Sequence, residues 1–128
     1  MPDKHPIVHT FVESMMILFF ELFGTTLLTC LYMMNSYSPL ALFVGYFCLL
    51  VLSARISGSH YNPLVTLAFM LRKDAGQFNK WLGILYMVAQ FLGGLCGAFI
   101  TFYVFRNVPG AETVLVVNAG SKGGQLIA

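Results

Sequence analysis

Asn62 and Pro63 open the stretch of sequence in which residue types and spacing point most clearly to chemistry. Asparagine is a strong helix N-cap, and proline suits the first helical position while pushing the residue before it out of the helical region. The preceding Ser57-Gly58-Ser59-His60-Tyr61 is polar and glycine-bearing, hence non-helical. A side-chain amide at such a helix start can donate to a passing polar molecule, while the helix's positive end, about half an elementary charge, disfavours cations and protons. The competing reading is a cap in a buried turn that nothing reaches. The carbonyls of Gly58, Ser59, His60 and Tyr61 would supply the matching acceptors. Glu21 is a carboxyl inside an apolar run, a costly placement that marks a group facing inward. It can support the loop or relay protons, although no chain of titratable partners accompanies it. Glu13, about two turns earlier, can reach polar headgroups and is given no role. His60 has no second histidine or carboxylate at ligand spacing, so neither a metal site nor a cofactor is expected. No nucleophile–base pair, carboxylate pair or phosphate-binding glycine loop is present, which argues against an enzyme.

The elements that must position these residues follow from composition. Of 128 residues 58% are hydrophobic and 9% charged, against about a quarter charged in an ordinary soluble domain, so water cannot solvate the whole surface. A net charge of +2 without a basic run leaves no footprint for nucleic acid. Cys30, Cys48 and Cys96 lie in apolar runs and read as small apolar residues. Charges cut the chain into pieces that suit a hydrocarbon core of about 30 Å, or about 20 helical residues. Spanning helices are expected over about 7–34, 40–56 and 81–105, with Asn35 to Pro39 as a turn and Tyr37, Trp81 and Tyr103 at the interfaces. Residues 62–71 are too few to cross, at about 15 Å of helix. Entered through an extended segment and closed by Arg72-Lys73-Asp74, they describe a re-entrant half-helix, which survives at membrane depth only against protein or a water-filled cavity. The expected class is therefore an all-α integral membrane protein with three spanning helices and one half-helix. Lys4, Arg55, Arg72, Lys73 and Lys80 fall on one side and Arg106 and Lys122 on the other, which puts the N-terminus on the cytoplasm-equivalent side of an unidentified membrane. The N-terminal run lacks the features of a cleavable signal peptide.

The stretch Ile56-Ser57-Gly58-Ser59-His60-Tyr61-Asn62-Pro63-Leu64-Val65-Thr66-Leu67-Ala68 resembles the first signature loop of the major intrinsic proteins, the aquaporins and aquaglyceroporins, I-S-G-x-H-x-N-P-A-V-T-x-A. Leu64 departs from it where the family has alanine. Glu21-Leu22-Phe23-Gly24-Thr25 is similar to the family's first-helix E-F-x-G-T, and Ala89-Gln90-Phe91-Leu92-Gly93-Gly94 to its third-helix A-Q-x-x-G-A. The resemblance covers about residues 7–105 and implies an aquaporin-like first repeat over 1–106, followed by a C-terminal loop or tail over 107–128. It implies a signature loop of Gly58, Ser59, His60, Tyr61, Asn62, Pro63 and Leu64, with Glu21 accepting hydrogen bonds from its backbone and Gln90 assisting. Gln90, Gly94 and Gly97 share one helical face, and Gly93 and Gly97 form a G-x-x-x-G; with Gly24 these small residues are expected to pack helices together.

Family members contain two inverted repeats, and this chain carries one Asn-Pro motif and no arginine following a second. One copy is therefore not expected to build a complete pore. Two functions remain: a half-channel for water or small neutral solutes when completed by a second repeat, or a non-conducting structural or accessory subunit of a larger membrane complex. The expected partners are the lipid bilayer, a second repeat or other membrane subunits, and water or small neutral solutes. Leu64 favours the subunit reading, because a bulkier residue disturbs the place where two half-helices meet.

Overall fold

The computed structural model describes residues 10–34, 38–72 and 78–106, and within them the chain is all-helical. Four helices follow in order: α1 (Phe11–Met34), α2 (Pro39–Ser53), α3 (Pro63–Leu71) and α4 (Lys80–Phe105). The expected turn at Asn35 to Tyr37 and the tail over 107–128 lie outside the described residues.

Each boundary has a local cause. Thr10 and Glu13 form a capping box, Thr10 N donating to Glu13 Oε2 at 2.8 Å and Glu13 N to Thr10 Oγ1 at 3.3 Å. Among the described residues α1 therefore starts at Phe11, residues 7–9 of the expected span lie outside them, and Glu13 is a capping residue. Ser38 caps α2 through Ala41 N, with Pro39 in the first turn. The expected extension of α2 to Ile56 does not form. The amides of Ile56 and Ser57 both donate to Ser53 O, at 2.9 and 3.0 Å, and the chain tightens into a turn over 54–57. Asn62, with φ −150° and ψ 126°, caps α3 by accepting from Leu64 N at 2.8 Å. Asn79 caps α4 by accepting from Trp81 N and Leu82 N.

At 1.5 Å per residue α1 and α4 are about 36 and 39 Å long, enough to cross a bilayer core of about 30 Å. They are the two described helices with both the length and the apolar composition to do so. The 15 residues of α2 reach about 22 Å and the 9 of α3 about 13 Å. Helix α4 packs along α1, while α2 packs on α1 and α3 on α4.

The packing is inverted relative to a water-soluble protein. The apolar core is a small cluster of Ile17, Leu82 and Tyr86, with Leu18 against it. The largest fully buried side chains are instead polar: Gln90, Glu21, Thr66, Thr101 and Ser53. Phe43, Leu40, Phe91, Phe99 and Trp81 all point outward. Apolar side chains outside and polar groups inside, hydrogen-bonded in all of these but Thr101, are what a hydrocarbon solvent selects.

Close approach of α1 and α4 depends on two glycines. A Cβ on Gly97 would stand 2.6 Å from Thr26 O, and one on Gly93 3.0 Å from Thr25 Cβ. Thr25, Thr26 and Thr29 along the facing stripe return their hydroxyls to Glu21 O, Leu22 O and Thr25 O one turn back, so the stripe presents little unpaired polarity. Cys30 Sγ donates across to Gly97 O at 3.5 Å. Two of the expected packing glycines act differently. Gly94 has open space where its Cβ would be, because one residue beyond Gly93 turns it about 100° away from α1. Gly24 makes room for the ring of Tyr61, whose Cδ1 would lie 2.7 Å from an added Cβ, and so fits the loop to α1 and not helix to helix.

Candidate functional site

The segment between α2 and α3 is irregular, and most of its stretch from Ser57 to Tyr61 is buried. Ser57, Ser59, His60 and Tyr61 are each at most 6% exposed, and no regular ladder is available to their backbone. Gly58 has φ 83°, and Ser59 (φ 53°) and Tyr61 (φ 47°) also lie in the left-handed region. For a residue with a side chain that conformation costs roughly 1–2 kcal/mol, so surrounding contacts must hold it.

They do so through α1, α2 and α4. Glu21, fully buried on α1, accepts from His60 N at 3.0 Å through Oε1 and from Tyr61 N at 2.8 Å through Oε2. Two consecutive amides that a helix or sheet would otherwise satisfy thus converge on one carboxyl. Gln90 of α4 donates to the same Oε2 at 2.8 Å and to Thr66 Oγ1 at 2.9 Å. The hydroxyl of Tyr61 donates to Leu49 O at 2.8 Å and also meets Ser53 Oγ. Ser59 Oγ donates to Leu50 O at 2.8 Å, and its amide to Ser57 Oγ at 3.2 Å. Tyr86 OH closes the far side by donating to Ser57 O at 2.8 Å. The loop uses carbonyls of the last turns of α2 as acceptors, Leu50 O taking the hydroxyl of Ser59 in addition to Ala54 N.

The expected site residues therefore cluster, with different exposures. Glu21, Gln90, Ser59, His60 and Tyr61 are inside, whereas Asn62, Pro63 and Leu64 sit on an open side, Leu64 being 71% exposed. The Oδ1 atom of Asn62 is taken by Leu64 N, which leaves Nδ2 as the group it can present outward. Among the described residues no hydrogen bond is donated to the carbonyls of Gly58, Ser59, His60 or Tyr61. The loop thus retains unused acceptor capacity in these carbonyls, and Asn62 retains donor capacity in Nδ2. Sequence reasoning passed over four contributors: Thr66, Ser53, Ser57 and Tyr86. Thr66 stands one helical turn after Asn62, and that spacing was the available signal; Ser53 and Tyr86 belong to other elements and give none.

The ring of His60 is stacked on Phe69 at 4.6 Å between centroids and meets Tyr86 edge-on at 5.3 Å, with Phe78 at 5.8 Å. Its Nδ1 lies 3.1 Å from Thr66 Oγ1. A cavity of about 290 Å³ opens beside it, lined by Ser57, Gly58, His60, Phe69, Phe78, Asn79 and Tyr86 together with Ile17, Ile56 and Leu82. Among the described residues no group of three or more histidines, cysteines or carboxylates could hold a metal ion, and all three cysteines are free.

Comparison with known proteins fits this geometry. The family model described as Major intrinsic protein matches residues 4–128. Aquaporin-1 of Rhizophagus irregularis is 39% identical over 75 residues, covering 59% of this chain and 25% of that protein. The lens fiber major intrinsic protein of Bos taurus is 45% identical over 49 residues, covering 38% and 18%. The glycerol uptake facilitator protein of Buchnera aphidicola is 36% identical over 56 residues, covering 44% and 20%. The chain spans about a quarter or less of the length of these curated relatives, and no solved structure matches it. With its all-helical fold, two bilayer-length apolar helices and polar interior, the chain belongs to the major intrinsic protein family, whose aquaporins are membrane channels and not enzymes.

Proposed function

We propose that this chain supplies half of a passive pore for water or small neutral solutes. The described helices form one aquaporin-like repeat in which α1 and α4 span the bilayer, the shorter α2 is the third membrane helix and α3 is the re-entrant half-helix. The second repeat comes from another chain or from a continuation of this one. The observation that carries the reading is the clasp of Glu21 on His60 N and Tyr61 N, at 3.0 and 2.8 Å. It supports an irregular loop at bilayer depth whose carbonyls, with Asn62 Nδ2, face an uncovered side. Water needs both donors and acceptors to leave bulk solvent, and a channel supplies them along one path. A single wall cannot, because its polar groups would stand in hydrocarbon at several kcal/mol each. The half-helix mouth and the N-terminus lie on the cytoplasm-equivalent side, consistent with the five-to-two bias of lysine and arginine in the sequence.

Stopped-flow light scattering tests this. The chain alone in liposomes should give no water permeability above the lipid background. Vesicles holding the chain with its second repeat should shrink rapidly, and Asn62→Asp should abolish the signal, since aspartate keeps the cap on Leu64 N but removes the Nδ2 donor. A second reading, an accessory subunit of a membrane complex, is favoured by one observation: Leu64, in the first turn of α3, is large and 71% exposed. An intact assembly whose permeability ignores Asn62→Asp would replace the pore reading with this one.

A further inference from the structure

The buried polar chain running from α1 to the cavity carries information about a proton's position. Oε2 of Glu21 already accepts from Tyr61 N, so the Gln90 group 2.8 Å away must be its NH2, which orients the amide. The same nitrogen donates its second hydrogen to Thr66 Oγ1 at 2.9 Å. Thr66 Oγ1 is thereby an acceptor, with one hydrogen of its own to place. Three acceptors are in range: His60 Nδ1 at 3.1 Å, Gln90 Oε1 at 3.3 Å and Asn62 O at 3.4 Å. The nearest is the imidazole. Were Nδ1 to carry the ring proton, Thr66 would accept twice and be left with only the two longer contacts. The other ring nitrogen, Nε2, has no hydrogen-bond partner among the described residues and lies 3.5 Å from where a Gly58 Cβ would stand, beside the cavity.

We propose that Thr66, oriented by Gln90 and Glu21, holds neutral His60 in the Nε2–H tautomer, so that the loop presents a hydrogen-bond donor to the cavity. This rests on the pore reading for its functional consequence and makes Thr66 a positioning residue for selectivity. Solutes bearing an acceptor oxygen, such as water and small polyols, are matched by that N–H. A solute able only to donate there is not.

The test is 15N NMR of ring-labelled histidine in the full chain in lipid bilayers, with His5→Gln and His9→Gln leaving His60 as the single histidine. At about pH 8, above the ordinary histidine value of about 6.5, the ring is neutral. The expected spectrum has Nε2 as the protonated, pyrrole-type nitrogen and Nδ1 as the pyridine-type one. Thr66→Ser should preserve it, and Thr66→Val should give a mixture of both tautomers. A pyrrole-type Nδ1 in the otherwise native chain overturns the proposal, as does a Thr66→Val spectrum unchanged from it. Should Thr66→Val not fold, the native and serine spectra still decide. No transport enters the measurement, so a correct tautomer in a protein that does not conduct refutes the pore alone, and a wrong tautomer in a conducting one refutes this inference alone.

Discussion

Replacing Glu21 by glutamine exchanges one carboxylate oxygen for NH2 and changes almost no volume, which makes it the sharpest perturbation of the loop clasp. The native carboxyl accepts three N–H groups: His60 N on Oε1, and Tyr61 N and Gln90 Nε2 on Oε2. Glutamine retains one acceptor. It satisfies most donors by placing its oxygen where Oε2 was, which turns its NH2 toward the amide of His60 at the former 3.0 Å contact. One buried donor is then unpaired and opposed by another, and the remaining bonds lose the charged partner. That combination costs about 2–4 kcal/mol. Because about 1.4 kcal/mol is a factor of ten, local opening of the loop should rise about 30- to 700-fold. Amide hydrogen exchange in bilayers reads this directly at His60 and Tyr61, while mid-helix amides of α1 and α4 serve as internal controls. Glu21→Ala, which orphans all three donors, should exceed the glutamine variant. Exchange at His60 and Tyr61 unchanged in Glu21→Gln would refute the argument that this carboxyl holds the loop.

Gly97→Leu should force α1 from α4, since its first added atom would stand 2.6 Å from Thr26 O, and lower stability by about 1–3 kcal/mol in mixed-micelle unfolding. Gly94→Leu, three residues earlier and facing open space, should stay within about 0.5 kcal/mol; equal effects of the two would discredit the assigned interface. Tyr61→Phe removes the hydroxyl that donates to Leu49 O and meets Ser53, and should cost about 1–2 kcal/mol in the same titration, with an unshifted midpoint counting against that anchor.

Much of the site was legible because it is local. Asn62-Pro63 after a glycine-bearing polar run specifies an extended entry and a capped helix start, and α3 runs from Pro63 to Leu71 with Asn62 as its cap. The pairing of Glu21 with the loop's amides was implied by resemblance and not by spacing, since 39 and 40 residues separate the partners. Local chemistry was also missed where a second signal was overlooked. Thr10 and Glu13 are a capping box written three residues apart, and they set the start of α1.

Composition and charge spacing by themselves determined the solvent: with 9% charged residues, long helices must hide their backbone polarity and turn apolar side chains outward. They also determined that one element is too short to cross. Tertiary structure alone decided which polar groups meet. Helical periodicity puts Gln90, Gly94 and Gly97 on one broad face, but only the relative rotation of α1 and α4 selects Gly93 and Gly97 for contact and leaves Gly94 free. The last turns of α2 matter to the loop because the hydroxyls of Ser59 and Tyr61 reach the carbonyls of Leu50 and Leu49, and Thr66 matters because Gln90 from α4 reaches it. Partners that lie far apart in the chain have no fixed spacing, and a buried hydroxyl's worth depends on which donor or acceptor the packing brings to it.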